Sequence, residues 1–383
     1  MTKRATYAET SNLIYRVRAA GALLGVTDNT MRGYADNAGI HVKRASDTNP
    51  NAPGIRVFDP ATLFEIGQWR RNHSYIKTPP RDGRPIVVAV DVIKGGTGKT
   101  TTSVELAIHM QLFGMRVMLI DLDVQANATQ LMGYEPDLTM DEAESYNLTS
   151  EAIVTDTFAS LLIPYLDRAR GSPNLRQQGA GGFMVKTPFG DHGPKLVPAD
   201  TFLGDIEQAL ANAKGQRELY IRQFLAAANK GQIAGFDISD IDLIIFDCPP
   251  NVSFTSTAAL AAADYVVAPV RLDAFSIKGL TRLMTEINSL DEGYQVRPEL
   301  VILPTHYAPQ LVRMGRMQAQ INKYKHCIAD STISASEEFP KSLDNYLPLS
   351  LQKPLCNSAR EYKGFAQEML DKMVSKANKR AKE

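Results

Sequence analysis

The stretch IVVAVDVIKGGTGKTTT, residues 86–102, constrains this chain more than any other. A short apolar run leads into three glycines, a lysine and a row of threonines. SVELAIHMQLFG follows, with Val104, Ala107, Ile108 and Leu112 at helical spacing and Gly114 placed for a C-cap. A loop that wraps backbone N–H groups around phosphate oxygens needs glycine wherever a Cβ would block the approach. Gly95, Gly96 and Gly98 stand at those places, Lys99 is placed to neutralise the β- and γ-phosphates, and Thr100 offers a hydroxyl to Mg²⁺. The N-terminus of the following helix then points at the anion. A glycine-rich turn that merely joins strand to helix is the plainer reading, and it leaves both lysines unexplained.

Four more short apolar runs have the texture of strands buried on both faces of a parallel sheet: Val117–Asp121, Leu243–Asp247, Tyr265–Val270 and Glu299–Leu303, which join Ile86–Val90. Their alternation with helical segments predicts an α/β fold, a doubly wound and mostly parallel sheet with helices on both faces. Residues 77–85, KTPPRDGRP, can continue neither a helix nor a central strand and read as a linker. The chain therefore divides into a small N-terminal region (1–76), this linker, and a nucleotide-binding domain (86–383). Segment 135–200 is the least legible; within it, 171–182 reads as an exposed, mobile loop.

Lysine plus arginine and aspartate plus glutamate number 42 each, so the formal charge is zero and no uniformly basic coat exists. Any affinity for DNA must come from local patches. No apolar run approaches the roughly 20 residues of a membrane span, and the N-terminus lacks the apolar core of a secretory signal. Three cysteines without metal or disulfide spacing suit a reducing cytoplasm.

Two acidic elements complete the site. LIDLDVQANAT (119–129) places Asp121 and Asp123 at the carboxyl edge of a strand, where α/β sheets bind ligands. In IDLIIFDCPP (241–250) an apolar run ends in Asp247, positioned to hold Mg²⁺ through water. The general phosphate-loop pattern is not strictly met: Ile93 stands where its first glycine belongs, and a second lysine, Lys94, precedes the glycine pair. That arrangement is the deviant Walker A motif, and with it the chain resembles the ParA/MinD family of ATPases. The resemblance extends from the linker to about residue 370. It implies ATP and ADP as ligands, with Lys94, Gly95, Gly96, Thr97, Gly98, Lys99, Thr100 and Thr101 around the phosphates. Lys94 becomes the signature lysine, which reaches across a homodimer interface to the partner's phosphates, as a cation that stabilises transition-state charge. Asp123 becomes the residue that orients or activates the attacking water, and Asp121 lies near the Mg²⁺ shell with Thr100 and Asp247. Val124 departs from the family's proline, and Asn251 from its serine. Adenine would be enclosed near Pro304, Thr305 and Pro348. Plainer readings remain beside these: Lys94 as a surface lysine, the aspartates as helix caps, the prolines as turn residues.

Residues 16–40 read RVRAAGALLGVTDNTMRGYADNAGI. A short helix ending at LLG, a turn at Val26–Thr27 and a polar-started second helix form a helix-turn-helix signature. Thr27 or Asp28 would cap the second helix, and Thr27, Asn29, Thr30 and Arg32 would meet a major groove. IRVFD (55–59) suits a β-wing, followed by the helix LFEIGQWRRN. Residues 1–75 carry ten Lys/Arg against six Asp/Glu, a modest excess for phosphate contacts. This resembles the winged helix-turn-helix at the front of longer ParA-type proteins; a helical docking or dimerisation domain is the alternative. A second basic stretch, KMVSKANKRAKE, offers Lys376, Lys379 and Arg380, with Arg313 and Arg316, as nonspecific DNA contacts, or else forms a solvated tail.

The reading that follows is a weak Mg²⁺-dependent partition ATPase. ATP would close a homodimer that coats the nucleoid, and a centromere-bound partner of the ParB type would trigger hydrolysis and release. The N-terminal region would bind an operator. A transcriptional regulator that uses ATP as an allosteric ligand is the alternative. A membrane switch expects a C-terminal amphipathic helix with large apolar residues, which NKRAKE does not supply.

Overall fold

The computed structural model describes residues 3–169, 185–271, 274–307 and 322–380. Its centre is a seven-stranded sheet: β1 (Ile86–Val90), β2 (Val117–Asp121), β3 (Lys195–Val197), β4 (Leu243–Asp247), β5 (Tyr265–Arg271), β6 (Glu299–Tyr307) and β7 (Ile333–Ser334). The spatial order is β3-β2-β4-β1-β5-β6-β7, and every pairing between neighbours is parallel. All five strands expected from the sequence form. β3 lies in the segment the sequence left unread, because three residues leave too little apolar pattern to see. The 171–182 loop expected nearby falls outside the described residues.

Strand side chains alternate between two cores, the period of two that a pleated strand imposes. Val88, Val90, Leu119 and Ile245 enter one cluster; Val87, Ala89, Ile120 and Ile244 enter the other. The second core is covered by α8 (Phe158–Ala169), α9 (Asp205–Ala211), α10 (Tyr220–Asn229), α11 (Phe254–Ala262) and α12 (Ala274–Tyr294). The first is covered by α5 (Lys99–Leu112) and, beyond the short α13 (Glu338–Asp344) and α14 (Leu349–Gln352), by α15 (Asn357–Arg380). Two further short helices, α6 (Asn127–Leu131) and α7 (Met140–Ser145), follow β2. Among the described residues no helix is long and apolar enough to cross a membrane.

The N-terminal region contributes α1 (Val17–Leu24), α2 (Asp28–Asn37), the four-residue α3 (Ala45–Thr48) and α4 (Pro60–Asn72). Gly25, at φ +69°, ends α1, and the Thr27 hydroxyl caps α2 by accepting from Thr30 N at 3.2 Å. Asp59 caps α4, with Pro60 at its first turn. Where a β-wing is expected, two backbone rungs form, Ala45 N to Ile55 O and Val57 N to Lys43 O, both 2.9 Å, because Pro53 and Gly54 interrupt one arm and α3 the other.

This region shares the first core with the sheet: Leu23, Leu24, Phe58, Leu63 and Phe64 belong to the same cluster as Val104 and Ile108 of α5. The contact is backbone-close. A Cβ on Gly67 would stand 2.6 Å from Leu112 O, and one on Gly114 would stand 2.6 Å from Gly67 O. Linker residues are pinned as well. Arg81 donates to Ile241 O at 3.1 Å and Ile238 O at 3.3 Å, and Arg84 grips Asp264 with two hydrogen bonds of 2.9 and 2.6 Å.

Candidate nucleotide site

β1 delivers the chain to the carboxyl edge of the sheet, and the glycine loop turns it into α5. Gly98 takes φ +92°, which only glycine adopts without strain, and Lys99 begins the helix. A Cβ on Gly95 or Gly96 would meet nothing within 4 Å, so the cradle opens outward. The Lys99 side chain is buried within the loop; its Nζ donates to Lys94 O at 2.9 Å and Val92 O at 3.3 Å. Thr97 is buried, Thr100 and Thr101 are half-buried on the first turn of α5, and Lys94 stands half-exposed at the rim.

Asp121 and Asp247 end adjacent strands directly opposite each other. Burial, and then their mutual repulsion, raises the pKa of Asp121. Burial raises Asp247 too, against hydroxyl donors on Ser103 and Thr100 and the charge of Lys99. The two carboxyls are used differently. Asp247 Oδ1 accepts from Ser103 Oγ at 2.8 Å, while its Oδ2, also buried, has no hydrogen-bond partner among the described residues. An orphaned carboxylate oxygen beside the Thr100 hydroxyl suits a hard divalent cation such as Mg²⁺. Asp121 is spent on its own loop: Oδ1 accepts from Asp123 N at 3.1 Å, and Oδ2 accepts from Thr129 N and Oγ1 at 2.9 and 2.8 Å. Asp121, expected near the ion, therefore stands opposite Asp247 and also shapes the turn carrying Asp123. Asp123 accepts from Gln125 N at 3.0 Å through Oδ1 and is nearly buried.

Pro304, Thr305 and Pro348, expected near adenine, are all buried. β6 does not end at Leu303 but runs to Tyr307, so Pro304 is a buried strand residue paired with Val270. Thr305 Oγ1 donates to Thr97 O at 2.8 Å, bracing the phosphate loop from behind. Pro348 is buried at the N-cap of α14. A proline in the last turns of a strand reads like a loop in sequence, and the neighbouring strands override it.

Among the groove residues, Asn29 and Arg32 are exposed on the first turns of α2, bonded to each other at 2.9 Å, with Thr30 beside them; Thr27 is engaged in capping. Lys376 is not presented outward. It bonds Glu299 at 3.2 Å and lies 4.5 Å above the Tyr265 ring, since a lysine on the inner side of α15 has a carboxylate within reach. Lys379 and Arg380 are exposed; Arg313 and Arg316 fall outside the described residues.

The sequence reading missed several supports. Ser103 orients Asp247, and a polar residue four positions after Lys99 on an inward helical face is the available signal. Thr129 ties Asp121 to β3 through Ala199 N at 2.9 Å. Asp91, just past β1, is fully buried, and burial pushes its carboxyl up to about 8 against the nearby Lys99. On α9, Glu207 accepts from Phe254 N at 2.7 Å and Thr255 N at 3.1 Å, capping the helix that follows Asp247.

A family model described as an AAA domain matches residues 86–302. An uncharacterised protein of Mycobacterium tuberculosis is 25% identical over 356 residues, covering 89% of this chain and 98% of the relative. A chromosome-partitioning ATPase, Soj, of Treponema pallidum is 25% identical over 280 residues, covering 72% and 94% respectively. A solved structure described as a partition protein superposes with a TM-score of 0.57 at 16% identity, over 98% of this chain and 94% of that one, which shows a common fold.

Proposed function

Because the chain belongs to the AAA-domain family, as a ParA-type partition ATPase with the deviant phosphate loop, we propose that it works as a nucleotide-timed, DNA-binding dimer. The observation that carries this is the convergence of Lys94, Lys99, Thr100, Asp123 and Asp247 on one carboxyl edge, with the cradle open at Gly95 and Gly96. In this reading the loop amides and Lys99 hold ATP phosphates, and Thr100 with the unpartnered oxygen of Asp247 holds Mg²⁺, which supplies charge neutralisation on the phosphates. Asp123 positions the attacking water, and Lys94 of each subunit serves its partner's nucleotide. Slow hydrolysis keeps the bound dimer on DNA until a centromere-bound partner of the ParB type stimulates release. Nucleoid association in the cytoplasm would follow.

The N-terminal helix pair, with Asn29, Thr30 and Arg32 on its outer face, is the proposed operator contact. Its shared core with α5 favours a second role in nucleotide-tuned repression. One experiment separates these: DNA binding without nucleotide, with ADP and with a slowly hydrolysed ATP analogue, on random duplex and on DNA upstream of the gene. Random-duplex binding should appear only with the ATP analogue. Binding that is indifferent to nucleotide on both DNAs would refute the switch.

A further inference from the structure

We propose that the opposite edge of the sheet carries a second anion site, for a compact phosphoanion of the pyrophosphate or nucleotide class. A cavity of about 330 Å³ lies where β1, β5 and β6 begin, lined by Arg84, Arg222, Arg297, Lys376 and Arg380 with a single carboxylate, Asp264. Five cations around one acid are a sharp local departure in a chain of zero formal charge. The acid has no capacity left: both Asp264 oxygens are taken by Arg84, and Oδ2 also accepts from Val87 N at 2.9 Å. Lys376 is held by Glu299 at 3.2 Å and Arg297 by Asp291 at 3.4 Å. Arg222 and Arg380 have no hydrogen-bonded or ion-paired partner among the described residues, and both line the cavity.

Two guanidiniums without an ion-pair partner line one concavity, and an anion there would join them. Their planar forks match phosphate oxygens in pairs. The floor is apolar, from Pro85, Leu225 and Val296, which is the mixed lining of a small-molecule site, and the volume lies at the lower end of the range such sites occupy, about 300–1,000 Å³. A concavity of that size suits a diphosphate. The cavity is distinct from the ATP cradle, which sits past the carboxyl end of β1, on the order of 15 Å away along a five-residue strand. It adjoins a second cavity of about 310 Å³ that shares Arg84, Lys376 and Arg380 and reaches the linker residue Arg81. A phosphoanion here would therefore fasten the linker, α10 and the end of α15 to one ligand. The proposal goes beyond the partition reading and does not depend on it.

The test uses the full chain saturated with a fluorescent ADP analogue, so that the phosphate loop is filled, titrated with pyrophosphate in a calorimeter. Saturable binding at one site is expected, without displacement of the analogue. The Arg222→Gln/Arg380→Gln double variant, altered only at exposed side chains, should bind at least about tenfold more weakly, whereas Lys353→Gln, an exposed lysine elsewhere, should match the wild type. No binding, equal binding in the double variant, or displacement of the analogue overturns the proposal. So does a double variant that loses only ATP-dependent retention of duplex DNA while pyrophosphate binds neither protein, since the arginines would then be DNA contacts. Failure of the wild type to bind duplex DNA with ATP would sink the partition reading and leave this one standing.

Discussion

Replacing Asp242 with asparagine tests how firmly the N-terminal region is fastened to the sheet. Asp242 sits just before β4, its side chain 4% exposed, between Arg71 of α4 and Arg116 at the start of β2. Arg116 donates from Nε at 3.0 Å, from Nη2 at 2.8 Å and from its backbone N at 2.9 Å; Arg71 donates through both terminal nitrogens. Burial alone would raise this carboxyl, but the hydrogen bonds from Arg116 and Arg71 overcome it and hold the pKa at about 2 against an ordinary 3.8. At about 1.4 kcal/mol per pKa unit the difference corresponds to roughly 2.5 kcal/mol. Arg116 is 42% exposed, so solvent screening reduces the contribution to about 1–2 kcal/mol. The folded-state pKa is depressed, so this stabilisation is present above the unfolded value near 3.8 and is lost as pH falls through about 2. Urea unfolding of Asp242→Asn at pH 7 should show a loss of about 1–2 kcal/mol, shrinking by roughly half near pH 3 as the unfolded wild-type chain takes up the proton. A deficit that stays constant from pH 7 to 3, or none at pH 7, would refute the assignment of Asp242 as the charged clasp.

Three further outcomes follow from the site and its supports. Asp123→Ala should retain nucleotide affinity while phosphate release falls by about 10²-fold or more; loss of binding instead would make Asp123 a ligand-holding residue. Ser103→Ala removes the 2.8 Å hydroxyl donor that orients Asp247 Oδ1, so the Mg²⁺ concentration that half-saturates nucleotide binding should rise about tenfold, with metal-free ADP binding unchanged. An unaltered Mg²⁺ requirement argues that Ser103 merely packs. Gly67→Ala drives a methyl into Leu112 O and should destabilise the chain by about 1–3 kcal/mol in urea unfolding; a neutral result would mean that α4 and α5 are free to separate.

What was legible in the sequence divides along the range of the interactions involved. Ile86–Val90 and Leu243–Asp247 are apolar without interruption because both faces of a central strand are buried, and the glycine loop is dictated by the phosphate it must admit. Such features repeat within a few residues, so the pattern reveals them. Asp121 shows the limit. Two aspartates at i, i+2 look alike in sequence, yet Asp123 N and Thr129 take up both oxygens of Asp121, while Asp123 accepts from Gln125 N through Oδ1. Thr305 is similar: its contact with Thr97 spans 208 positions and depends on β6 continuing past a proline. Lys376 lies in a basic run that reads as a solvated surface, until Glu299 comes within 3.2 Å at the far edge of the sheet.

The linker at 77–85 joins two regions that also meet through direct contacts. α5 starts at the phosphate loop and ends at Leu112, where α4 meets it through bare backbone at Gly67 and Gly114. Along its length it is also bound to the C-terminal elements. Thr102 bonds the Tyr362 hydroxyl at 3.1 Å, and Glu105 and His109 share Ser350. Burial pushes the Glu105 carboxyl up to about 7 and the His109 imidazole down to about 3, so neither group favours its charged form in this packing. A helix held by backbone contact at one end and by a buried polar node in the middle does not slide under soft side chains. Any movement of the phosphate loop must therefore be borne either by the loop itself or by α4, α5 and α15 together. Since α2 packs on α1 and α4 in that same core, the outer face carrying Asn29 and Arg32 is fixed relative to the nucleotide cradle rather than tethered to it. The linker then bridges two parts of one packed body, with Arg81 bonded to Ile238 O and Ile241 O and Arg84 to Asp264.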